Sequence, residues 1–147
     1  MHFFIDNSNK GMIYEYNNFI KEKLLNGESL ILFPEGTTSD GNSIRKFKSS
    51  LFECVNSGEK AINVQPISIC YVSKNNLPMG IYSRRMIAWV GETSMVNSMK
   101  EFLSSGSITV HLIFHPETSM KYFSNRKEIS LFCEEQILTG LNNTIKI

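Results

Sequence analysis

The stretch with the most chemically useful side chains is a polar loop that directly follows a short apolar run at residues 30–33. The run predicts a central strand covered on both faces. That strand would deliver Glu35 to the carboxyl end of a sheet, where open α/β sheets bind ligands. Gly36 permits close backbone approach, and Thr37, Thr38 and Ser39 offer hydroxyls and amides that can hold oxyanions. The loop therefore predicts a polar binding site, with a capped surface turn as the alternative.

A nucleotide-binding phosphate loop is a second interpretation of the same segment. Gly36 and Gly41 have the required spacing, but Asn42 and Ser43 follow where such a loop needs Lys and then Ser or Thr. The absence of that lysine disfavours nucleotide binding.

Two clusters of basic residues could contact an anionic substrate or a lipid headgroup. A solvated surface is the simpler interpretation of both. The clusters are Arg45, Lys46 and Lys48, and the pair Arg84 and Arg85.

Histidines and cysteines give no metal site. His111 and His115 have even spacing on a predicted strand and would face the same side, but no acidic or cysteine third ligand is near, so local hydrogen bonding is favoured. The three cysteines, Cys54, Cys70 and Cys133, form no CxxC pair. Reduced, buried thiols are expected, which suits a cytoplasmic protein.

Length and composition describe one ordinary globular domain, residues 1–147. Apolar residues make up 41% and charged residues 20%, with a formal net charge of +1. These values disfavour disorder and give no overall field that would attract nucleic acid. No run approaches the roughly 18 apolar residues that span a bilayer, so any membrane contact is expected to be peripheral.

Predicted strands and helices alternate along the chain, which argues for an α/β sandwich with a mostly parallel or mixed sheet. The strands are expected at residues 3–5, 30–33, 62–72 (broken by Pro66), 86–90 and 108–115. In the last of these, the even-numbered apolar residues from 108 to 114 are expected to face the core. Helices are expected after a cap at Asn9, around residues 51–55, after a cap at Ser94, and after Asn125, which with Glu128 resembles a capping box.

Four stretches in this order resemble the glycerol-phosphate and lysophospholipid acyltransferase family. Phe33-Pro34-Glu35-Gly36-Thr37 resembles the family's third signature block. The other three are residues 4–6, similar to the second block; 47–52, similar to the helix start after the third; and 64–67, similar to the fourth. Residues 88–92 and 114–116 resemble segments of bacterial family members that act on lysophosphatidate or lyso-ornithine lipid. The resemblance covers nearly the whole chain.

The resemblance implies transfer of a fatty acyl group from acyl-CoA or acyl carrier protein to the hydroxyl of a lysophospholipid-type acceptor, with no other cofactor. It implies that Glu35 and Gly36, with Thr37, Thr38 and Lys48 nearby, bind that acceptor. It also implies peripheral association with the inner face of a bacterial cell membrane. In the family, the first block, His-x4-Asp, supplies the general base and the aspartate that orients it.

The chain departs from the family at its catalytic motif. None of its three histidines, His2, His111 and His115, has an aspartate five positions on. No catalytic residue is therefore assigned, and the chain is expected to be inactive alone. An N-terminally truncated domain, a half that takes its histidine from another chain, and a non-catalytic lipid- or acyl-carrier-binding module are the three explanations.

Two further departures concern the acceptor. Asn7 and Thr38 stand where many family members have arginine. A missing arginine weakens the case for a phosphate acceptor and favours a different headgroup, although Lys46 or Lys48 could supply positive charge instead.

Overall fold

The computed structural model describes residues 10–56, 58, 61–88 and 95–145. Backbone contacts divide the chain into two compact units. The first consists of Met1–Gly36, Phe47–Val64 and Glu117–Phe132, and the second of Thr37–Lys46, Gln65–Pro116 and Cys133–Ile147. The strand predicted at residues 3–5 and the caps predicted at Asn9 and Ser94 lie outside the described residues. That residues 1–147 form part of one domain stays a prediction.

The first unit begins with helix α1, Lys10–Leu25, which confirms the helix predicted from the spacing of apolar residues. The helix ends at Leu25, and Gly27 follows with a φ of +88°, the left-handed conformation common just after a helix. The buried Asn17 donates from Nδ2 to the carbonyl of Ser50 over 3.3 Å. This bond ties α1 to a short 3-10 helix, Ser49–Val55.

The 3-10 helix supplies much of the buried surface of the first unit. It confirms the short helix predicted around residues 51–55, and Leu51, Phe52, Cys54 and Val55 on it are buried. The unit also contains a short antiparallel pair, in which β1, Asn63–Val64, pairs with β5, Thr118–Ser119. A second 3-10 turn, Met120–Tyr122, follows β5.

The segment at residues 30–33 is not the buried strand that its sequence predicts. It has neither helical nor strand structure, and its side chains are exposed, with Ile31 at 85% and Phe33 at 69%. A strand exists only as part of a ladder, because its N–H and C=O groups need partners. No strand among the described residues pairs with this segment. The prediction of a covered central strand is therefore wrong for the chain by itself.

The second unit contains a three-stranded antiparallel sheet in the order β3-β2-β4. Its strands are β2, Ile67–Lys74, β3, Leu77–Pro78, and β4, Ile108–Phe114. All strand pairs among the described residues are antiparallel, so the α/β class holds while a mostly parallel or mixed sheet is not found here. The strand predicted over residues 62–72 is divided between β1 and β2, and the break falls at Pro66 as predicted.

The described residues between β3 and β4 include two helices. Helix α2, Ile81–Ile87, occupies part of the segment predicted as a strand at residues 86–90, and that prediction is wrong for residues 86–87. A short apolar run does not distinguish a strand from a helix by period alone. Residues 89–90 lie outside the described residues. Helix α3, Met95–Ser104, confirms the helix predicted there.

Helix α4, Arg126–Thr144, begins with the predicted capping interaction. The Asn125 side chain accepts hydrogen bonds from the backbone N–H groups of Lys127 and Glu128, and Glu128 in turn accepts from the N–H of Ser124. These bonds satisfy donors that the first helical turn leaves free.

In the second unit, the sheet buries the face opposite to the predicted one. Cys70 of β2 packs with Leu141 of α4 and with Ile145, and Ile113 of β4 joins this cluster. The even-numbered apolar residues of β4, predicted to face the core, are mostly exposed, with Leu112 at 56%. Successive side chains of a strand point to opposite faces, so the sequence shows which residues share a face. The element packed against the strand decides which face is buried.

Candidate acceptor turn and polar cleft

The predicted site residues Glu35, Gly36 and Lys48 meet in the first unit at a tight turn. The Gly36 N–H donates to the carbonyl of Phe33 over 3.2 Å, and the Lys48 N–H donates to the carbonyl of Pro34 over 2.9 Å. These bonds hold the chain on both sides of the half-buried Glu35. The result is a turn with a carboxylate at its tip and the start of the next segment beside it.

The Lys48 ammonium lies directly against this turn. A Cβ atom built on Gly36 would be only 2.7 Å from Lys48 Nζ, and Gly36 has a φ of +66°. Glycine is required here for both reasons, since other residues are strained at positive φ and would also press on the lysine. The cation at the turn is suited to an anionic or carbonyl oxygen, although its contact with a substrate stays a prediction.

Thr37 and Thr38 are exposed and belong to the second unit. Their predicted role in binding the acceptor is not tested by the geometry of either unit.

A polar cleft in the second unit was not predicted as a site. It has a volume of about 250 Å³ and is lined by Ser39, Asp40, Ser43, Arg45 and Arg85. The sequence predicts basic clusters that include Arg45 and Arg85, but it gives no signal that joins them to Asp40. The two segments are about 45 residues apart along the chain, and no local pattern indicates that they meet.

Asp40 organises its own loop. Its Oδ1 accepts hydrogen bonds from the N–H groups of Asn42 and Ser43, over 3.0 and 3.2 Å, and from the Ser43 hydroxyl over 3.3 Å. These donors favour the ionised form, so the pKa of the Asp40 carboxyl is lowered, chiefly by the backbone N–H of Asn42. Asp40 is therefore an anion at neutral pH.

A buried arginine attaches the loop to α2 and the sheet. Arg84 is only 5% exposed, and it donates to the carbonyls of Tyr71 and Met79 and to Oδ1 of Asn42. The Asn42 amide in turn donates to the carbonyl of Ile81 over 3.1 Å. These bonds hold one wall of the cleft against the other.

Comparison with known proteins gives the chain its family. Residues 1–70 match the family model described as acyltransferase. The chain is 32% identical over 148 residues to a lyso-ornithine lipid O-acyltransferase of Rhizobium meliloti, an alignment that covers 97% of this chain and 51% of the relative. Proteins of the same name from Brucella abortus and Rhodobacter capsulatus are 28% and 26% identical, over 97% and 83% of this chain and 55% and 44% of theirs. No solved structure matches.

This chain contains part of an acyltransferase domain. It spans about half the length of the curated relatives it matches. The acyltransferase resemblance read from residues 33–37 and the blocks around them is thereby confirmed.

The described part of the chain offers neither an activated thiol nor a His-x4-Asp pair. Cys54, Cys70 and Cys133 are buried, and burial raises the pKa of the Cys54 and Cys133 thiols to about 11. They are protonated at neutral pH and poor nucleophiles. Among the described residues there is no group of three or more side chains that could hold a metal ion.

His115 of the second unit is held by contacts within the fold. Its Nε2 lies 2.8 Å from the hydroxyl of the fully buried Ser68, which donates to the carbonyl of Ile137 over 3.0 Å. A Cβ on Gly140 would be only 2.7 Å from the same Nε2. His115 lies directly after β4 and not within it as predicted, but the predicted hydrogen bonding to nearby groups is confirmed, and the side chain helps to pack α4 against the sheet.

Every helix in the described part of the chain is too short or too polar to span a membrane.

Proposed function

We propose that this chain is part of an enzyme that transfers a fatty acyl group to the hydroxyl of a lysolipid, with lyso-ornithine lipid as the acceptor class. The observation that carries this proposal is the similarity, over 97% of the chain, to two proteins named lyso-ornithine lipid O-acyltransferase. The substitution of Thr38 for the arginine common in phosphate-accepting members points in the same direction.

In the proposed reaction, the acceptor hydroxyl oxygen attacks the thioester carbonyl of acyl-CoA or acyl carrier protein. An ester bond forms, the carbon–sulfur bond breaks, and the carrier leaves as a thiol. A general base takes the hydroxyl proton, and this proton can be returned to the departing sulfur. No cofactor is needed beyond the acyl donor.

The turn at Glu35 is proposed to hold the acceptor near this reaction. Lys48 Nζ lies against Gly36 and can donate to an acceptor oxygen, while Glu35 can accept from an acceptor N–H or O–H. Thr37 and Thr38 are proposed to add hydroxyl contacts. The substrates are lipids, so the enzyme is proposed to work at the inner face of a bacterial membrane.

The general base is proposed to come from a His-x4-Asp motif that these 147 residues do not contain. A positioned general base contributes roughly 10²–10⁴-fold to a rate. The chain by itself is therefore proposed to be inactive. In the complete domain, residues 30–33 are proposed to gain strand partners and join a mostly parallel or mixed sheet.

The test is a chimera in which this chain is joined to the part of the Rhizobium meliloti relative that it does not span. The chimera should acylate lyso-ornithine lipid, measured as thiol release from acyl-CoA or acyl carrier protein, and the chain alone should not. Changing the histidine of the motif to alanine in the chimera is the matched control and should abolish the activity. Robust turnover by the isolated chain would contradict the proposal.

A non-catalytic lipid- or carrier-binding module is the second candidate, because the catalytic motif is absent. It predicts that a folded chimera remains inactive towards all lysolipids while the chain still binds lysolipid or acyl carrier.

A further inference from the structure

The polar cleft of the second unit has the size of a headgroup site. Its volume of about 250 Å³ is below the roughly 300–1,000 Å³ of pockets that enclose drug-sized ligands. Its lining residues are all polar or charged, so it presents no apolar side chain against which an acyl chain could pack. A small, water-soluble and charged group is the kind of ligand that it can take.

The walls of the cleft are held in place before any ligand arrives. Arg84 bonds to Asn42 of the loop over 2.9 Å and to the carbonyl of Tyr71 in β2 over 3.1 Å. Gly41, with a φ of +72°, brings the loop close to α2, since a Cβ on it would lie 3.6 Å from Cβ of Arg84. A preformed site loses less conformational entropy on binding.

Neighbouring arginines of α2 have different tasks. Arg84 is buried and its guanidinium bonds to three protein acceptors. Arg85 is exposed and lines the cleft. A guanidinium at this position can bind a carboxylate through two parallel N–H donors.

Asp40 brings the opposite charge to the same cleft. The three donors that organise the loop all bond to Oδ1, and Oδ2 takes part in none of these bonds. The carboxylate is ionised because those donors lower its pKa. A cleft lined by both an anion and arginines is matched to a ligand that carries both charges.

Given the proposed function, we propose that the cleft of Ser39, Asp40, Ser43, Arg45 and Arg85 binds the zwitterionic headgroup of the acceptor. In a lyso-ornithine lipid the α-amine is acylated, so the headgroup keeps a free carboxylate and a terminal ammonium. Asp40 receives the ammonium, Arg85 receives the carboxylate, and the serine hydroxyls add hydrogen bonds. The cleft thereby selects the acceptor by headgroup.

A phosphate headgroup is a poorer match to these residues. Its two negative charges would lie in the same small cleft as the Asp40 carboxylate, and like charges at close range are unfavourable. A phosphate monoester also has no ammonium, so Asp40 would have no partner on the ligand. The mixed charge thus separates an amino-acid headgroup from a phosphate.

The test measures binding of three soluble probes to the full chain by calorimetry or by NMR shifts of the loop amides. The probes are Nα-hexanoyl-ornithine, which has both charges, Nα-hexanoyl-norvaline, which lacks the ammonium, and Nα-hexanoyl-ornithine amide, which lacks the carboxylate. The wild-type chain should bind the first roughly tenfold more tightly than either of the others, about 1.4 kcal/mol.

Two variants show which residue binds each charge of the probe. Asp40→Asn keeps an oxygen that can accept the loop hydrogen bonds, and it should remove the preference for the ammonium. Arg85→Gln should weaken the two carboxylate probes and leave the ornithine amide unchanged. Lys100→Gln is the matched control, since Lys100 is an exposed cation of α3 that does not line the cleft. It should bind all three probes as the wild type does.

The outcomes separate this site from the proposed function. If the chimera acylates lyso-ornithine lipid but Asp40→Asn and Arg85→Gln leave probe binding and the acceptor KM unchanged, the headgroup site is wrong and the function stands. If the probes bind as expected but the chimera acylates no lysolipid, the function is wrong and the site remains. Equal binding of hexyl phosphate and of the zwitterion, both weakened by Arg85→Gln, would overturn the site as a general anion site.

Discussion

Two separate constraints favour glycine at position 36, the backbone conformation and the closeness of Lys48, and mutation can separate them. Its positive φ disfavours any side chain, and Lys48 occupies the space where a Cβ would lie. We predict that Gly36→Ala lowers the free energy of unfolding by about 1–2 kcal/mol, mostly through the backbone term. The lysine contributes less because the atom in the way is the end of a flexible side chain. Urea denaturation measures the change.

Gly27 provides the matched control for this prediction. Its φ is +88°, yet a Cβ on it would meet nothing within 4 Å. Gly27→Ala should therefore show the backbone cost alone. Adding Lys48→Ala should bring Gly36→Ala to the cost of Gly27→Ala. A Gly36→Ala variant as stable as the wild type would contradict the described turn.

The Asp40 carboxylate makes a pH-dependent contribution to stability. Its pKa is lower in the folded chain than the unfolded value of about 3.9, because loop N–H groups donate to the ionised form. A lowered pKa stabilises the fold above the unfolded pKa, and this stability is lost as the pH falls through the folded pKa. We predict that Asp40→Asn costs about 1 kcal/mol or less at pH 7.

The difference between wild type and Asp40→Asn should be constant from pH 7 to pH 5 and should shrink below about pH 4. Urea denaturation of both proteins at matched pH values measures this difference. Other groups titrate alike in the two proteins, so their contribution to the free energy of unfolding drops out of the difference. A difference that stays the same down to pH 3 would show that the carboxylate does not accept the loop hydrogen bonds as its charged form.

At the scale of elements, α2 depends on one buried side chain. Arg84 bonds to β2, to the loop and to the residues before α2, and no other residue type presents its planar set of donors. We predict that Arg84→Gln and Arg84→Lys each lower the free energy of unfolding by about 3 kcal/mol, because buried acceptors lose their donors. Arg85→Gln, one residue on, should stay within about 0.5 kcal/mol. Equal losses of unfolding free energy for the Arg84 and Arg85 variants would contradict the structural role assigned to Arg84.

Local signals predicted the elements that depend on local interactions. The helical spacing of α1, the proline break before β2 and the Asn125 cap are fixed by residues close in sequence, and each is confirmed. The run at residues 30–33 and the buried face of β4 depend on which partners are present. No pattern within a strand states what pairs with it or what covers it.

Some residues of the candidate sites could likewise be predicted from the sequence, and others could not. Glu35, Gly36 and Lys48 could be named because they belong to a recognisable block and the segment after it, and the structure brings Gly36 and Lys48 together. The cleft between Asp40 and Arg85 arises from tertiary packing of distant segments. Arg84 and Arg85 are neighbouring residues of the same type, so the sequence does not distinguish them. The fold buries Arg84 and leaves Arg85 exposed.

For the molecule as a whole, the second unit leaves a broad apolar face uncovered among its described residues. The register pairs Ile67 with Phe114 and Ile69 with Leu112, and all four are exposed. Contiguous apolar patches of this kind promote association in water. Among the described residues, this sheet face therefore contributes little buried apolar surface to the stability of the chain.

We predict that the isolated chain self-associates through this face. Replacing the opposed pair by opposite charges, Ile69→Lys with Leu112→Glu, should keep the strand register through a cross-strand ion pair while removing apolar surface. The dissociation constant measured by sedimentation should rise roughly tenfold or more, about 1.4 kcal/mol. Tyr122→Lys, which removes an exposed aromatic residue of the first unit, is the control and should change it little. In the active chimera the same double variant should lower the melting temperature if the added segment covers the face. A wild-type chain that stays monomeric at high concentration, with no change in the double variant, would show that the uncovered sheet face does not drive association.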